Sequence, residues 1–260
     1  MDGTRPQDPT LILGIHGTFE QHPWIERVSA EHDLDEDVFS LAVKRAAAYG
    51  WSSTRFGAGA ELGGQRWSHN DAGGDLTPDG GVRQRAWLQV SVAEDLNAQH
   101  LPVLPAVTVL SDALHRMGAF RFTGLHALVP LHLAPDSRFD LAGDAAWFAL
   151  ADPASSMGLM VTLSARETSG LHGRTAEIRA LALARTFGRM TLERVSPGQF
   201  AQQGLAGELQ RSDMQEAMAF RCVAPEWSPD IAAWVTEVLV DALRAAGVAH
   251  PALLTVSITP

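Results

Sequence analysis

The chain contains one cysteine, Cys222, and one lysine, Lys44, among 260 residues. A single cysteine excludes an intrachain disulfide and a cysteine-rich zinc site, which suits a reducing cytoplasm. A single lysine against many arginines is typical of a GC-rich bacterial genome and removes most lysine chemistry. No window approaches the ~20 apolar residues needed to cross a bilayer. The first ten residues lack the basic start and apolar core of an export signal, so a cytoplasmic location is expected. With a net charge of -10 the surface field repels phosphate backbones and anionic lipids. Neither nucleic acid nor a membrane is therefore expected as a partner. The sequence also lacks HExxH, EF-hand, paired-cysteine, Gly-Lys-Ser/Thr and G-x-G-x-x-G patterns. Ile15-His-Gly-Thr has a faint likeness to the oxyanion stretch of esterases, but without a G-x-S-x-G elbow that chemistry is rejected.

What is present is a repetition. Val-Leu-Ser-Asp-Ala-Leu-His-Arg-Met-Gly-Ala from Val109 returns from Val238 as Val-Leu-Val-Asp-Ala-Leu-Arg-Ala-Ala-Gly-Val. Each copy ends its helical pattern at a glycine, Gly118 or Gly247, and a β-rich run follows. Each is preceded by another β-like run, Ala86 to Ala93 and Ala217 to Ala224. Even the earlier helices end alike, with Ala-Tyr-Gly at 48–50 and Thr-Phe-Gly at 186–188. A duplicated module is the simplest cause.

Alternation and glycine or proline punctuation predict strands over 10–19, 51–56, 84–93 and 122–131 in the first half, with helices over 38–49 and from Pro102 and Pro105 to Gly118. The second half repeats the pattern with strands over 157–166, 190–195, 217–224 and 253–258 and helices over 175–187 and 231–246. Residues 57–83 are rich in glycine and read as a long loop, either a lid or a disordered segment. The domain reading is a first module over 1–133, a linker over 134–150 and a second module over 151–260.

Two successive β-α-β-β-α-β patterns resemble the dimeric α/β-barrel superfamily in its tandem ferredoxin-like arrangement. That resemblance covers nearly the whole chain in element order and implies an α+β fold with two facing antiparallel sheets, helices outside and a ligand space between. The rival, a metal-binding fold of repeated β-α-β-β-β units, has one helix per unit where this chain has two. Within the implied strand order the first and last strands of a half are neighbours, which brings His16 towards His126.

Helices need the more apolar face of each strand, so the mixed face should line the interior. Its residues are His16, Thr18, Trp87, Gln89, Ser91, His126, Thr162, Ser164, Thr255 and Ser257, with Arg166 beyond. They either satisfy one another or form a site. The match between halves puts His126 at the position of Thr255. A histidine pair would supply a general base and a hydrogen-bond donor near neutral pH, while Arg166, in preference to Arg221, would hold a carboxylate or an enolate. His126 and His132 share a face but stand roughly 20 Å apart, too far for one metal. In the glycine-rich loop, Trp67 is a candidate to fold over a ligand, with His69, Asn70 or Asp71 touching it. Trp87, Met160, Met218 and Phe220 form either ordinary core or an apolar ligand wall.

The expected function is a small-molecule enzyme of bacterial specialised metabolism. It would carry out cofactor-independent acid-base chemistry (cyclisation, isomerisation, elimination or oxygenation) as a monomer or homodimer, with His16, His126 and Arg166 as catalytic residues. Two alternatives stand beside it. One is a non-enzymatic binder or partner subunit. The other, which the superfamily resemblance permits, is a haem protein with His126 or His16 as proximal ligand.

Overall fold

A computed structural model of the protein describes residues 10–33, 36–51, 68–77, 80–91, 101–134, 138–195, 214 and 216–259. Eight strands occur among them: β1 (Thr10–Gln21), β2 (Ser68–Gly73), β3 (Arg83–Ser91), β4 (Gly118–Val129), β5 (Met157–Ala165), β6 (Thr191–Val195), β7 (Glu216–Ala224) and β8 (Ala252–Ile258). The α-helices are α1 (Ile25–His32), α2 (Val38–Ala48), α3 (Val103–Met117), α4 (Arg138–Trp147), α5 (Thr175–Arg185) and α6 (Pro229–Ala245). No helix among the described residues is long and apolar enough to cross a membrane.

All eight strands join one open antiparallel sheet in the order β2-β3-β1-β4-β8-β5-β7-β6. This corrects the expectation of two facing sheets. Gly124 to Val129 of β4 hydrogen-bond with Ser257 to Ala252 of β8, so the last strand of each half pairs edge to edge with its counterpart. That pairing satisfies two rows of backbone groups that facing sheets would leave unpaired at those edges.

One strand parity supplies the main core. Leu11, Leu13 and Ile15 of β1, Leu125 and Ala127 of β4, Leu159, Val161 and Leu163 of β5 and Leu254 and Val256 of β8 are buried with the apolar stripes of α2, α3, α5 and α6. The helices neighbour one another in the order α2, α3, α6, α5, so α3 and α6 cross the same seam that β4 and β8 close below them. Helix α6 is the central one, and every residue from Ile231 to Leu243 except Glu237 is buried. It starts where Pro229 follows Ser228, whose Oγ accepts the Ile231 N–H. Helix α2 begins with a reciprocal cap between Asp37 and Ser40.

Local differences have identifiable causes. The predicted strand over 51–56 is absent at Trp51, and its other residues lie outside those described. The edge strand of this half among the described residues is β2, inside the glycine-rich run, where Ser-His-Asn-Asp-Ala-Gly offers no apolar alternation and Ala72 alone packs against the core. Helix α4 occupies most of the predicted linker. Gly118 and Gly247 also do different jobs. Gly247 has φ 78°, the left-handed turn that ends α6. Gly118 is extended and opens β4 directly, at a point where a Cβ would meet the Glu20 carbonyl at 2.3 Å.

Each half ties its two main helices together with an arginine and the aspartate of the repeated motif. Arg45 of α2 reaches Asp112 of α3, and Arg185 of α5 reaches Asp241 of α6. The first pair is solvent-exposed. In the second, Asp241 is wholly buried and also takes the Arg244 guanidinium. Replacing Asp241 by alanine strands a buried arginine and is expected to cost roughly 3–5 kcal/mol. Asp112→Ala breaks a screened surface pair and should leave the urea midpoint almost unchanged. Equal midpoints for the two variants in urea titrations would refute this difference.

Candidate functional site

The strand parity that faces away from the helices carries the polar residues. One register row crosses the whole sheet: Gly73, Trp87, Gly14, His126, Thr255, Thr162, Ala219 and Val195, one residue from each strand. Two glycines in this row make room for large neighbours. A Cβ on Gly73 would lie 2.7 Å from Trp87 Nε1, and a Cβ on Gly14 would lie 2.1 Å from His126 Cε1. His126 therefore lies over bare backbone of β1.

His16 reaches the same place from an irregularity. The register of β1 slips against β3 between Ile15 and His16, and against β4 between His16 and Gly17. Such bulges re-aim side chains. His16 is paired through its backbone with Gly124, so it meets His126 diagonally, with Nε2 2.8 Å from His126 Nδ1 and the rings edge to face. One ring's N–H donates to the other's lone pair. Both rings are buried, His16 to 3% exposure and His126 to 7%. Burial, reinforced by the neighbouring His126, pushes the His16 pKa down to about 3, and burial pushes His126 down to about 4. Both imidazoles are neutral at pH 7.

Arg85, which the sequence reading did not single out, holds this bulge. It stands where the β1–β3 register slips, is fully buried, and donates from Nε to the Gly17 carbonyl at 3.0 Å. Its other nitrogens reach the carbonyls of Asp75, Thr77 and Gly81. Asp75, Thr77 and Gly81, inside the run read as a lid or a disordered segment, are thereby tied to the sheet. The signal that sequence offered was slight: an arginine at the start of an otherwise apolar alternating strand.

The other predicted site residues separate into groups. Thr162 and Thr255 are buried and hydrogen-bond to each other through their hydroxyls in the central row. Ser164 and Ser257 flank them on the same face. Trp87, Gln89 and Ser91 are half-buried on β3, and Ser91 Oγ donates to Asn70 Oδ1 at 2.8 Å. Asp71 is exposed and caps its own neighbour, accepting the Ala72 N–H. His69 belongs to β2 by its backbone, and Trp67 lies outside the described residues.

Arg166 does not join the histidines. It is exposed and follows the end of β5, four residues and ~13 Å along the strand from Thr162. Arg221 is also exposed and faces away from the helices, beside Glu193 of β6. The proposed apolar wall divides in two. Trp87 and Met160 are on the polar row's face, whereas Met218 and Phe220 are in the helix-side core. Matching Ala86–Ala93 to Ala217–Ala224 was one residue out of register, because Trp87 and Ala219 are the residues that occupy the shared row. A one-residue slip exchanges the faces.

Among the described residues no group of three His, Cys, Asp or Glu side chains is placed to hold a metal. Cys222, buried in the core with its pKa raised to about 12 by burial, is no nucleophile.

Two outcomes follow from this geometry. Gly14→Ala drives a methyl into the His126 ring and is expected to cost about 1–3 kcal/mol, with loss of the mutual hydrogen bond visible in the imidazole nitrogen shifts. An unaltered spectrum would contradict the packing. The pH effect has a definite sign. Unfolded histidines protonate near 6.5 and the folded pair only near 4 and 3, so the unfolded chain gains protons first. Stability therefore falls as pH drops from 6.5 towards 4, by up to ~1.4 kcal/mol per pH unit for each histidine. His126→Gln should flatten that slope in urea midpoints measured from pH 7 to 4.

Comparison with protein-family models, with curated proteins and with solved structures finds no match for this chain.

Proposed function

We propose that the polar face of the sheet is the working site of a small-molecule enzyme, with His16 and His126 as its chemical centre and no tightly bound cofactor. The observation that supports this reading is the hydrogen-bonded pair of neutral, buried imidazoles seated on Gly14 at a β-bulge. A solely structural position would be filled more cheaply by apolar side chains, because a buried polar pair must recover its desolvation. With one N–H spent in the mutual bond, the outer nitrogen of one ring carries an N–H that donates to a carbonyl or enolate oxygen, and the outer nitrogen of the other ring carries a lone pair that accepts a proton. Cyclisation, isomerisation, elimination and oxygenation of a small, partly apolar carbonyl compound all use that step. Thr162, Thr255, Ser164 and Ser257 would orient the substrate, and Trp87 with Met160 would pack against it. Arg166, exposed at the strand end, would meet a substrate only at the rim of this face. Bacterial specialised metabolism remains the setting we favour.

We read the framework as two tandem ferredoxin-like modules, 1–133 and 151–260, made by duplication. The same strand order in both halves supports this, as do the twin ion pairs Arg45–Asp112 and Arg185–Asp241. A monomer or a homodimer is compatible with that framework.

The second reading, a non-enzymatic binder or partner subunit, is favoured by one feature: the histidines are nearly closed off from solvent. A haem role fits poorly. His126 Nε2, the nitrogen that the pair leaves for a metal, lies over the β1 backbone at Gly14, where a Cβ would stand 2.8 Å from it.

The test is a thermal-shift and turnover screen of small ketones, enones and phenols with the native protein and His126→Ala. A stabilising compound that is converted by the native protein, and neither bound nor converted by a folded His126→Ala, supports the enzyme. Conversion should decline on acidification near pH 4 instead of near 6.5, following the depressed pKa values. Equal turnover by the variant would remove the pair from catalysis, and binding without turnover would establish the second reading.

A further inference from the structure

The helix layer carries an open cleft of about 480 Å³ between α2 and α3, separated by the sheet from the histidine pair. Its lining combines apolar Leu41, Ala48 and Ala113 with the cations Lys44, Arg45 and Arg116, beside Asp112 and His115. In a chain of net charge -10, three cations around one cleft stand against the general field.

Two of these cations are already engaged. Lys44, the only lysine, pairs with Glu36. Arg45 donates to Asp112 Oδ2 at 2.6 Å and to the Tyr49 hydroxyl, while Tyr49 donates to the same carboxylate oxygen at 2.7 Å. Asp112 is thus paired with its own neighbours, although its charge still reaches Asp230 of α6, whose pKa is raised by burial and by the nearby Glu226 and Asp112 carboxylates. His115 turns away from it and donates Nδ1–H to the Ser111 carbonyl at 2.8 Å. Arg116 is exposed and has no hydrogen-bond or ion-pair partner among the described residues.

The second half is built differently at the matching position. The repeat aligns Asp112 with Asp241, His115 with Arg244 and Arg116 with Ala245. There Arg244 folds onto Asp241, donating from Nη2 at 2.8 Å, and the aspartate is completely buried. At that joint two arginines, Arg185 and Arg244, converge on the one aspartate. In the first half histidine replaces the covering arginine, and an arginine appears where the other copy has alanine.

We infer that the α2–α3 cleft binds a small organic carboxylate with an apolar body, at a site distinct from the histidine face. The carboxylate would take the fork of Arg116 and the remaining donors of Lys44, with the ligand's body on Leu41, Ala48 and Ala113. A planar fork suits a carboxylate, and those aliphatic side chains give the body a surface that a bare inorganic anion would not use.

Benzoate serves as the probe, titrated calorimetrically into the full chain, with benzamide as its neutral counterpart. We expect saturable binding of benzoate, little binding of benzamide, and about tenfold weaker binding in Arg116→Ala, the loss of one charge-assisted contact. Lys44→Met should weaken it as well. Arg27→Ala, which removes an exposed arginine of α1, should change nothing, and circular dichroism verifies that each variant is folded. Absence of saturable binding, equal affinity for benzamide, affinity unaltered in both Arg116→Ala and Lys44→Met, or tighter binding of inorganic phosphate than of benzoate would each overturn the assignment.

Discussion

The hydrogen bonds between β4 and β8 are the constraint from which the rest of the architecture follows. Because Gly124 to Val129 of β4 pair with β8, the halves share one sheet. Helices α3 and α6 must then pack against each other above the joint, and a continuous core fills the layer between sheet and helices. The same pairing aligns the side chains of all eight strands, so a transverse row exists with His126 and Thr255 at its middle. Without that register His126 would stand at an unprotected sheet edge, where water would restore its ordinary basicity. Its neutrality is a consequence of topology as much as of its own neighbours.

Within the first half, space is allotted by small residues. Gly14 and Gly73 each leave room for one large side chain on the adjacent strand, His126 and Trp87 respectively. Arg85 then fixes the irregular backbone that turns His16 inward, using four carbonyls that would otherwise need water. Cost and gain are local here: a buried guanidinium is expensive to desolvate, and its hydrogen bonds hold a strand distortion that regular pairing would remove. The second half has no comparable distortion in the registers of β5, whose pairing with β7 and β8 runs unbroken. Residues equivalent in chain order have thus been given unlike chemical surroundings, histidine over glycine in one half and threonine against threonine in the other.

Much of this was legible in the chain itself. Strong alternation in β1, β5 and β8, a helical stripe ended by glycine in α6, and the repeated Val-Leu-x-Asp-Ala-Leu motif placed most elements within one or two residues. The polar parity of the strands also indicated His16, His126, Thr162 and Thr255 as one facing set. What remained hidden depends on long-range pairing. Periodicity states which side of a strand is apolar but not which strand lies next to it, so one sheet and two sheets predict the same alternation. For β7 the apolar residues are numerous on both sides, and the match to β3 slipped by one position. Edge strand β2, which pairs only with β3 among the described strands, carries Ser-His-Asn-Asp and so shows no apolar alternation. Arg85 was invisible because its partners are backbone carbonyls, which leave no trace in residue types.

The position of β8 bears on how the chain is made. It is the last of the eight strands to be synthesised, yet it is inserted between β4 and β5, in the middle of the sheet. While a ribosome is still adding α6, the first half can already have formed its four strands, and β4 then presents a bare border of amides and carbonyls to the cell. Another nascent copy of the protein offers the same border in the right antiparallel sense. Translation speed through the second half therefore sets how long that competition lasts, and delay there favours entangled pairs of chains over the finished molecule.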